Sequence, residues 1–181
     1  MQATAEPNPF QLEEALPLLE ATPGVLRSLL GDLPQTWLQF KEDPEAWTPR
    51  TVLVHYVHNE GSNWIPRLRV LLSEDTIRRF PPFQQLPEVS ELTAAGVPQL
   101  LDQFAQLRQQ SLSFLRSMGL EPAHYDREAE HPSLGTVKLS HLLATWVVHD
   151  LNHLHQVAKS LAKRYQVAVG PWRRNLAILD L

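Results

Sequence analysis

The sequence predicts an all-α chain built as a four-helix bundle with a crossover connection. Three observations carry that expectation. Apolar residues recur three and four positions apart through several long segments, which is the period of an amphipathic helix. Nothing alternates apolar and polar over a useful length, so strand signals are poor. Seven glycines and fifteen prolines punctuate a chain that otherwise reads helical.

Taken in order, residues 1–9 read as a loose leader, because Pro7 and Pro9 disfavour an early helix. A short amphipathic segment follows from about Gln11 to Glu20. Thr22-Pro23 is an N-cap followed by a proline in the first turn, and starts a helix running to about Leu30. This divides the chain into a leader with a short helix, 1–21, and a bundle, 22–181, forming a single domain overall. Gly31 to Pro34 loosen the helix, while Trp37, Leu38 and Phe40 continue its apolar pattern. Thr48-Pro49 repeats the capping signal and opens a helix from Arg50 to about Ser73, kinked at Pro66. The 74–89 connection, with Phe80-Pro81-Pro82-Phe83, holds too many prolines for a helix.

Ser90, with Glu91 in the first turn, begins a third helix carrying Leu100, Leu101, Phe104, Leu107, Leu112 and Leu115, the clearest helical period in the chain. Gly119 ends it. Residues 120–136 form a second connection, rich in charge and turn residues. The fourth long helix runs from about Val137 to Tyr165, and Gly170-Pro171 closes it before a short apolar piece from Trp172 to Leu179.

Composition narrows the function. At 181 residues, 43% hydrophobic and 20% charged, the chain has the profile of a folded globular domain. A net charge of −4, with only short basic clusters at Arg78-Arg79 and Arg173-Arg174, argues against nucleic acid as a partner. The apolar runs are interrupted long before they could span a bilayer, and the N-terminus shows no basic region followed by an apolar stretch. A cytoplasmic protein with no membrane partner is therefore expected. With no cysteine there is no disulfide and no thiolate ligand, and any nucleophilic thiol must come from a substrate.

Eight histidines occur, at 55, 58, 124, 131, 141, 149, 153 and 155. Positions 142, 146, 149, 153 and 157 share one face of the fourth helix and read Leu, Trp, His, His, Val. Two imidazoles thus lie in an apolar stripe, where buried ring nitrogens need partners. Two histidines four residues apart on a helix reach one metal ion, because their side chains leave the helix about one turn apart. His155 lies roughly 200° from His153 and faces elsewhere. A site with open positions needs a third ligand, and the helix after Pro49 offers two candidates, His55 and His58. Periodicity leaves them tied.

At these residues the chain resembles the DinB-like superfamily. The matching pieces are Trp47-Thr48 leading into Val52-Leu53-Val54-His55, with Glu60 five residues on; Trp64-Ile65-Pro66-Arg67-Leu68; His131-Pro132-Ser133-Leu134-Gly135-Thr136-Val137; Leu142 through His153; and Val169-Gly170-Pro171-Trp172-Arg173. The resemblance covers about residues 22–179 and is weakest in the first helix. It implies a four-helix bundle with one metal histidine on the second helix and two on the fourth, which are His55, His149 and His153. His58 falls where many relatives have aspartate. The resemblance also implies a homodimer and a divalent metal ion, with zinc first and nickel, iron or manganese next.

Relatives with known chemistry include zinc-dependent transferases and isomerases that use a low-molecular-weight thiol. The function expected is therefore a metal-dependent enzyme, a thiol-dependent transferase acting on a small electrophile. A metal-dependent hydrolase and a non-catalytic metal-binding or stress-response dimer module are the alternatives. An open three-imidazole centre suits either enzyme, since it lowers the pKa of water or holds a thiol as thiolate. Glu60 and Asp150 are the acid/base candidates, with a supporting hydrogen bond or a pairing to a cation as their plainer roles. Arg67, Arg69, Arg78 and Arg79 are candidates for an anionic substrate or ordinary surface charge, and Trp64 and Trp146 read as core packing. The stretch from His149 to His153 also resembles a zinc-protease helix, but places aspartate where the general-base glutamate belongs.

Overall fold

The computed structural model describes residues 10–84 and 91–180. Its elements in chain order are α1 (Leu12–Leu30), α2 (Gln35–Leu38), α3 (Pro49–Ser62), α4 (Trp64–Leu72), α5 (Glu91–Ala94) and α6 (Val97–Ser117). A 3₁₀ turn (Pro122–Asp126), strands β1 (Glu128–His131) and β2 (Gly135–Lys138), and α7 (Leu139–Lys163) follow. Two further 3₁₀ turns, Gly170–Asn175 and Ala177–Leu179, complete the series. The expected leader, 1–9, lies outside the described residues.

The first helix corrects the expectation at Thr22-Pro23. No N-cap occurs there, because α1 runs unbroken from Leu12 to Leu30 with Pro17 and Pro23 inside it. An interior proline leaves the carbonyl four residues back without its N–H donor. For Pro23 that carbonyl is Leu19 O, and it is instead bonded by Arg108 Nη1 of α6 at 2.7 Å. Thr22 turns its hydroxyl back onto Leu18 O at 3.0 Å. Tertiary donation thus lets the helix pass through the proline.

Thr48 does cap α3, its Oγ1 accepting from Thr51 N at 3.0 Å with Pro49 in the first turn. The single helix expected over 50–73 is instead two, divided at Asn63 (φ −110°, ψ −62°). Pro66 cannot donate to Ser62 O and its ring crowds that carbonyl, so the break falls just before the proline. The third helix likewise begins later than expected. Ser90 lies outside the described residues, α5 is a separate turn, and α6 starts after Gly96 with Pro98 in its first turn and Gln99 Oε1 accepting from Gly96 N. Gly119, at φ +53°, ends it as expected.

The 120–136 connection holds structure that was not expected. β1 and β2 form an antiparallel hairpin from Glu128↔Lys138 to His131↔Gly135, with Gly135 at φ +73°. Strands of four residues are too short for alternation to register. Long-range hydrogen bonds secure them: Phe80 N donates to Glu130 O at 2.9 Å and Glu130 N to Arg78 O at 2.8 Å. The hairpin therefore anchors the segment that carries Phe80.

α6 and α7 each pack against both α1 and α3. α1 and α3 therefore stand diagonally across the bundle, as do α6 and α7, and the connections within these two pairs must cross its ends. The core has two parts. One is built from Leu26, Leu30, Leu53, Leu100, Phe104 and Val157 with their neighbours, the other from Leu19, Trp64, Leu68, Leu112, Leu142 and Trp146 with theirs. On every long helix a buried polar residue lies in sequence between the two: Thr22, Asn59 and Glu60, Arg108 and Asp150, with His55 one turn before Asn59. A polar layer thus crosses the middle of the bundle. No helix among the described residues is long and apolar enough to cross a membrane.

Arg108 is 2% exposed and pairs with Glu60 and Asp150 on two different helices. Arg108→Met leaves two buried carboxylates without a counter-charge and is expected to lower stability by about 3–5 kcal/mol in urea unfolding. Adding Glu60→Met and Asp150→Leu in the same chain is expected to recover most of that loss.

Candidate metal centre

The polar layer holds the three histidines. α3 supplies His55 from its buried face, and α7 supplies His149 and His153 one turn apart. One ring nitrogen of each lies within 4.8 Å of the other two, a group that could hold a metal ion. Nε2 of His55 and Nε2 of His149 face one another at 2.9 Å, and the His153 ring centre is 4.5 Å from that of His55 and 4.4 Å from that of His149.

The surroundings orient these rings. His153 Nδ1 is 2.7 Å from Gln156 Oε1. An amide oxygen only accepts, so Nδ1 carries the proton and Nε2 keeps its lone pair. Asn59 Nδ2 lies 3.1 Å from His55 Nδ1 and 3.0 Å from its Nε2, and is held by its own bond to His55 O at 3.0 Å and by Asn63 Nδ2 donating to Asn59 Oδ1 at 3.0 Å. His149 Nδ1 is 3.8 Å from Asp150 Oδ1, longer than a hydrogen bond, so the carboxylate faces the ring nitrogen opposite the cluster. Trp47 stacks parallel to His153, and Trp64 sets its ring against His149 edge-on.

Behind the histidines sits a buried ion network. Arg108 bonds Asp150 through both arms, Nη1–Oδ2 at 2.6 Å and Nη2–Oδ1 at 3.1 Å, and its Nη2 also meets Glu60 Oε2 at 2.9 Å. Burial opposes the charge on Arg108, but Glu60 and Asp150 outweigh it and hold the guanidinium protonated. Burial pushes the Glu60 carboxyl up, with Arg108 only partly offsetting it. Burial also acts against charge on Asp150, yet contacts from His149 and Arg108 carry its pKa below the ordinary value. Tyr56 Oη donates to Asp150 O at 2.5 Å, and burial followed by the Asp150 charge keeps its phenol neutral.

The histidines open onto a cavity of about 420 Å³ that also reaches Arg67, Phe80, His131 and His141. No aspartate or glutamate among the described residues lines it. The acid/base candidates named from the sequence are thus placed together behind the histidines, in contact with Arg108 and away from the cavity. His58 does not join the cluster; its Nε2 is 3.0 Å from Gln84 O and its ring stacks on Phe83. His155 is exposed. Trp64 and Trp146 are buried and stack on each other at 5.5 Å. Of the four arginines only Arg67 reaches the cavity: Arg69 lies over Phe114, and Arg78 Nε donates to Ser73 O at 2.9 Å.

Four residues at the site were not foreseen from the sequence. Arg108 had a readable signal, since it interrupts the stripe Leu101, Phe104, Leu112, Leu115 at a core position. Asn59 and Gln156 lie four and three residues after His55 and His153, within one helical turn of their partners. Trp47 precedes its helix and had no periodic signal.

These donors suit a divalent ion. Metal–nitrogen bonds of about 2.1 Å place ligand nitrogens about 3–4 Å apart, which small ring rotations reach from the observed cluster. Three neutral imidazoles leave positions open, and Gln156 already holds one ring in the tautomer that ligation requires.

Titration of zinc into the chelator-treated protein is expected to show one site per chain, lost in His149→Ala. Burial first, and the nearby charge of His149 second, hold His153 below the ordinary histidine pKa of 6.5. The unfolded chain therefore binds this proton more tightly than the folded one. The stability linked to His153 is full above about pH 6.5 and is lost as pH falls below it. Metal affinity is expected to fall in the same direction, by about tenfold per pH unit for each ligand that must lose a proton, as read by calorimetry between pH 7.5 and 5.5.

A family model of the DinB superfamily matches residues 18–157, a span that includes all three histidines. Among solved structures the chain is similar to YfiT from Bacillus subtilis, described as a probable metal-dependent hydrolase with an unusual four-helix bundle topology. The match has a TM-score of 0.73 and 18% sequence identity, covering 88% of this chain and 93% of that one. At this identity the likeness is one of fold. Comparison with curated proteins gives no match. The family model spans well over half of the sequence, and the chain belongs to the DinB superfamily.

Proposed function

We propose that this protein is a metal-dependent enzyme, a thiol-dependent transferase acting on a small electrophile, with His55, His149 and His153 as ligands and zinc as the ion. The observation that carries this reading is the absence of a carboxylate from the described lining of the cavity. A divalent ion held there supplies a Lewis-acidic position that keeps a bound thiol ionised. A thiol with pKa about 8.5 needs little further help, whereas water starts near 15.7 and gains more from a base beside it. Glu60 and Asp150 take the supporting role in this reading. They hold Arg108 in place behind the imidazoles. Trp47 and Trp64 flank the ligands and limit water beside them.

A metal-dependent hydrolase is the second reading. It is favoured by the description of the structural neighbour and by His131 and His141, which line the same cavity and are of a type that carries protons near neutrality.

The deciding experiment supplies the zinc-loaded protein with a small thiol and a chromogenic electrophile, and in parallel with a chromogenic ester without thiol. Thiol-dependent product that disappears in folded His149→Ala is the expected result. Ester cleavage without thiol, and no thiol adduct, would replace the transferase by the hydrolase. Failure to take up zinc, nickel, manganese or iron would remove both.

A further inference from the structure

Arg67 is the only arginine or lysine among the described residues lining the cavity, and it is placed unlike an ordinary surface arginine. It projects from α4 one turn after Trp64, whose ring edge meets His149. The guanidinium carbon lies 5.1 Å from the Phe80 ring centre and 5.6 Å from that of Phe83. Two aromatic rings therefore brace its plane, and the hairpin holds Phe80 in position through the Phe80–Glu130 bond. No carboxylate and no hydrogen-bond acceptor among the described residues meets its side chain, in contrast to Arg27, Arg108, Arg116 and Arg127, which all have acidic partners. Burial alone pulls its pKa below the ordinary arginine value, so the charge is partly desolvated and not compensated.

We propose that Arg67 is the recognition point for a carboxylate carried by the substrate, in the same cavity as the three histidines. The chemistry favours a carboxylate over a phosphate. A single braced guanidinium offers a planar fork that matches two carboxylate oxygens. A phosphate dianion calls for more positive charge than this lining provides, since Arg67 is its one arginine or lysine among the described residues, and burial, with the Arg67 charge second, works against a proton on His131. This inference deepens the thiol reading, because a thiol bearing a carboxylate would then span the cavity, with sulfur at the histidines and carboxylate at Arg67.

The test has two arms, so that the subsite and the thiol reading can fail separately. In the first, propionate is titrated into the metal-free protein and followed by the NMR resonances of His131 and His141. Saturable shifts that vanish in Arg67→Gln and persist weakly in Arg67→Lys are expected. Shifts unchanged in Arg67→Gln, or none in the wild type, overturn the subsite. Arg67-dependent binding of inorganic phosphate tighter than that of propionate overturns the choice of carboxylate. In the second arm, 3-mercaptopropionate and 3-mercaptopropanol are compared on the zinc-loaded protein by calorimetry. The carboxylate thiol is expected to bind about tenfold or more tightly, with the preference erased in Arg67→Gln. Equal binding of the two thiols overturns the spanning arrangement while leaving the thiol reading intact. Propionate binding at Arg67 with no binding of either thiol leaves the subsite standing and removes the thiol reading.

Discussion

The buried guanidinium of Arg108 is the constraint around which the bundle is arranged. It reaches three other helices: Leu19 O on α1, Glu60 on α3 and Asp150 on α7. A charge with so little access to solvent is tolerable only if every partner is in place. This condition sets the axial positions of α1, α3 and α7 relative to α6 more narrowly than apolar packing could, because aliphatic contacts are non-directional and bidentate ion pairs are not. Donation to Leu19 O also lets α1 continue through Pro23, so the same side chain supports the path of a helix and the register of the bundle.

The two parts of the core follow from this layer. Aliphatic and aromatic residues close each end, and the middle is left for groups that must be hydrogen-bonded or charged. Histidines placed there meet opposite requirements on their two sides. One ring nitrogen can be satisfied by the network, as Gln156 does for His153, while the other turns towards its neighbours and the cavity. The mutual approach of His55 and His149 at 2.9 Å is the outcome of that geometry. The Arg108 network stands behind it and keeps carboxylates out of the cavity.

The connections do as much to shape the site as the helices do. The hairpin of 128–138 anchors Phe80 through backbone bonds, and Phe80 and Phe83 brace Arg67 at the wall of the cavity. Rigid helices thus supply the ligands, while a cross-linked connection supplies the wall against which a substrate would lie. This division accords with a scaffold whose chemistry resides in the layer and whose selectivity resides in loops.

Local physics determined much of this protein in the sequence. The three- and four-residue period marked the helices, Thr48-Pro49 and Gly119 marked two of their ends, and the spacing of His149 and His153 put both on one face. These features depend only on neighbours within a turn or two. The choice of His55 over His58 was not local, since both sit among apolar residues; resemblance favoured His55, and packing turns it inward while His58 stacks on Phe83. Tertiary structure alone decided the passage of α1 through Pro23, the break at Asn63, the hairpin and the meeting of Glu60 and Asp150 at Arg108. Each rests on a hydrogen bond, ion pair or steric contact whose outcome the surrounding fold selects. An arginine in an apolar stripe could be seen in the sequence as an anomaly, but its meaning depended on two carboxylates 48 and 42 residues away meeting it inside the bundle.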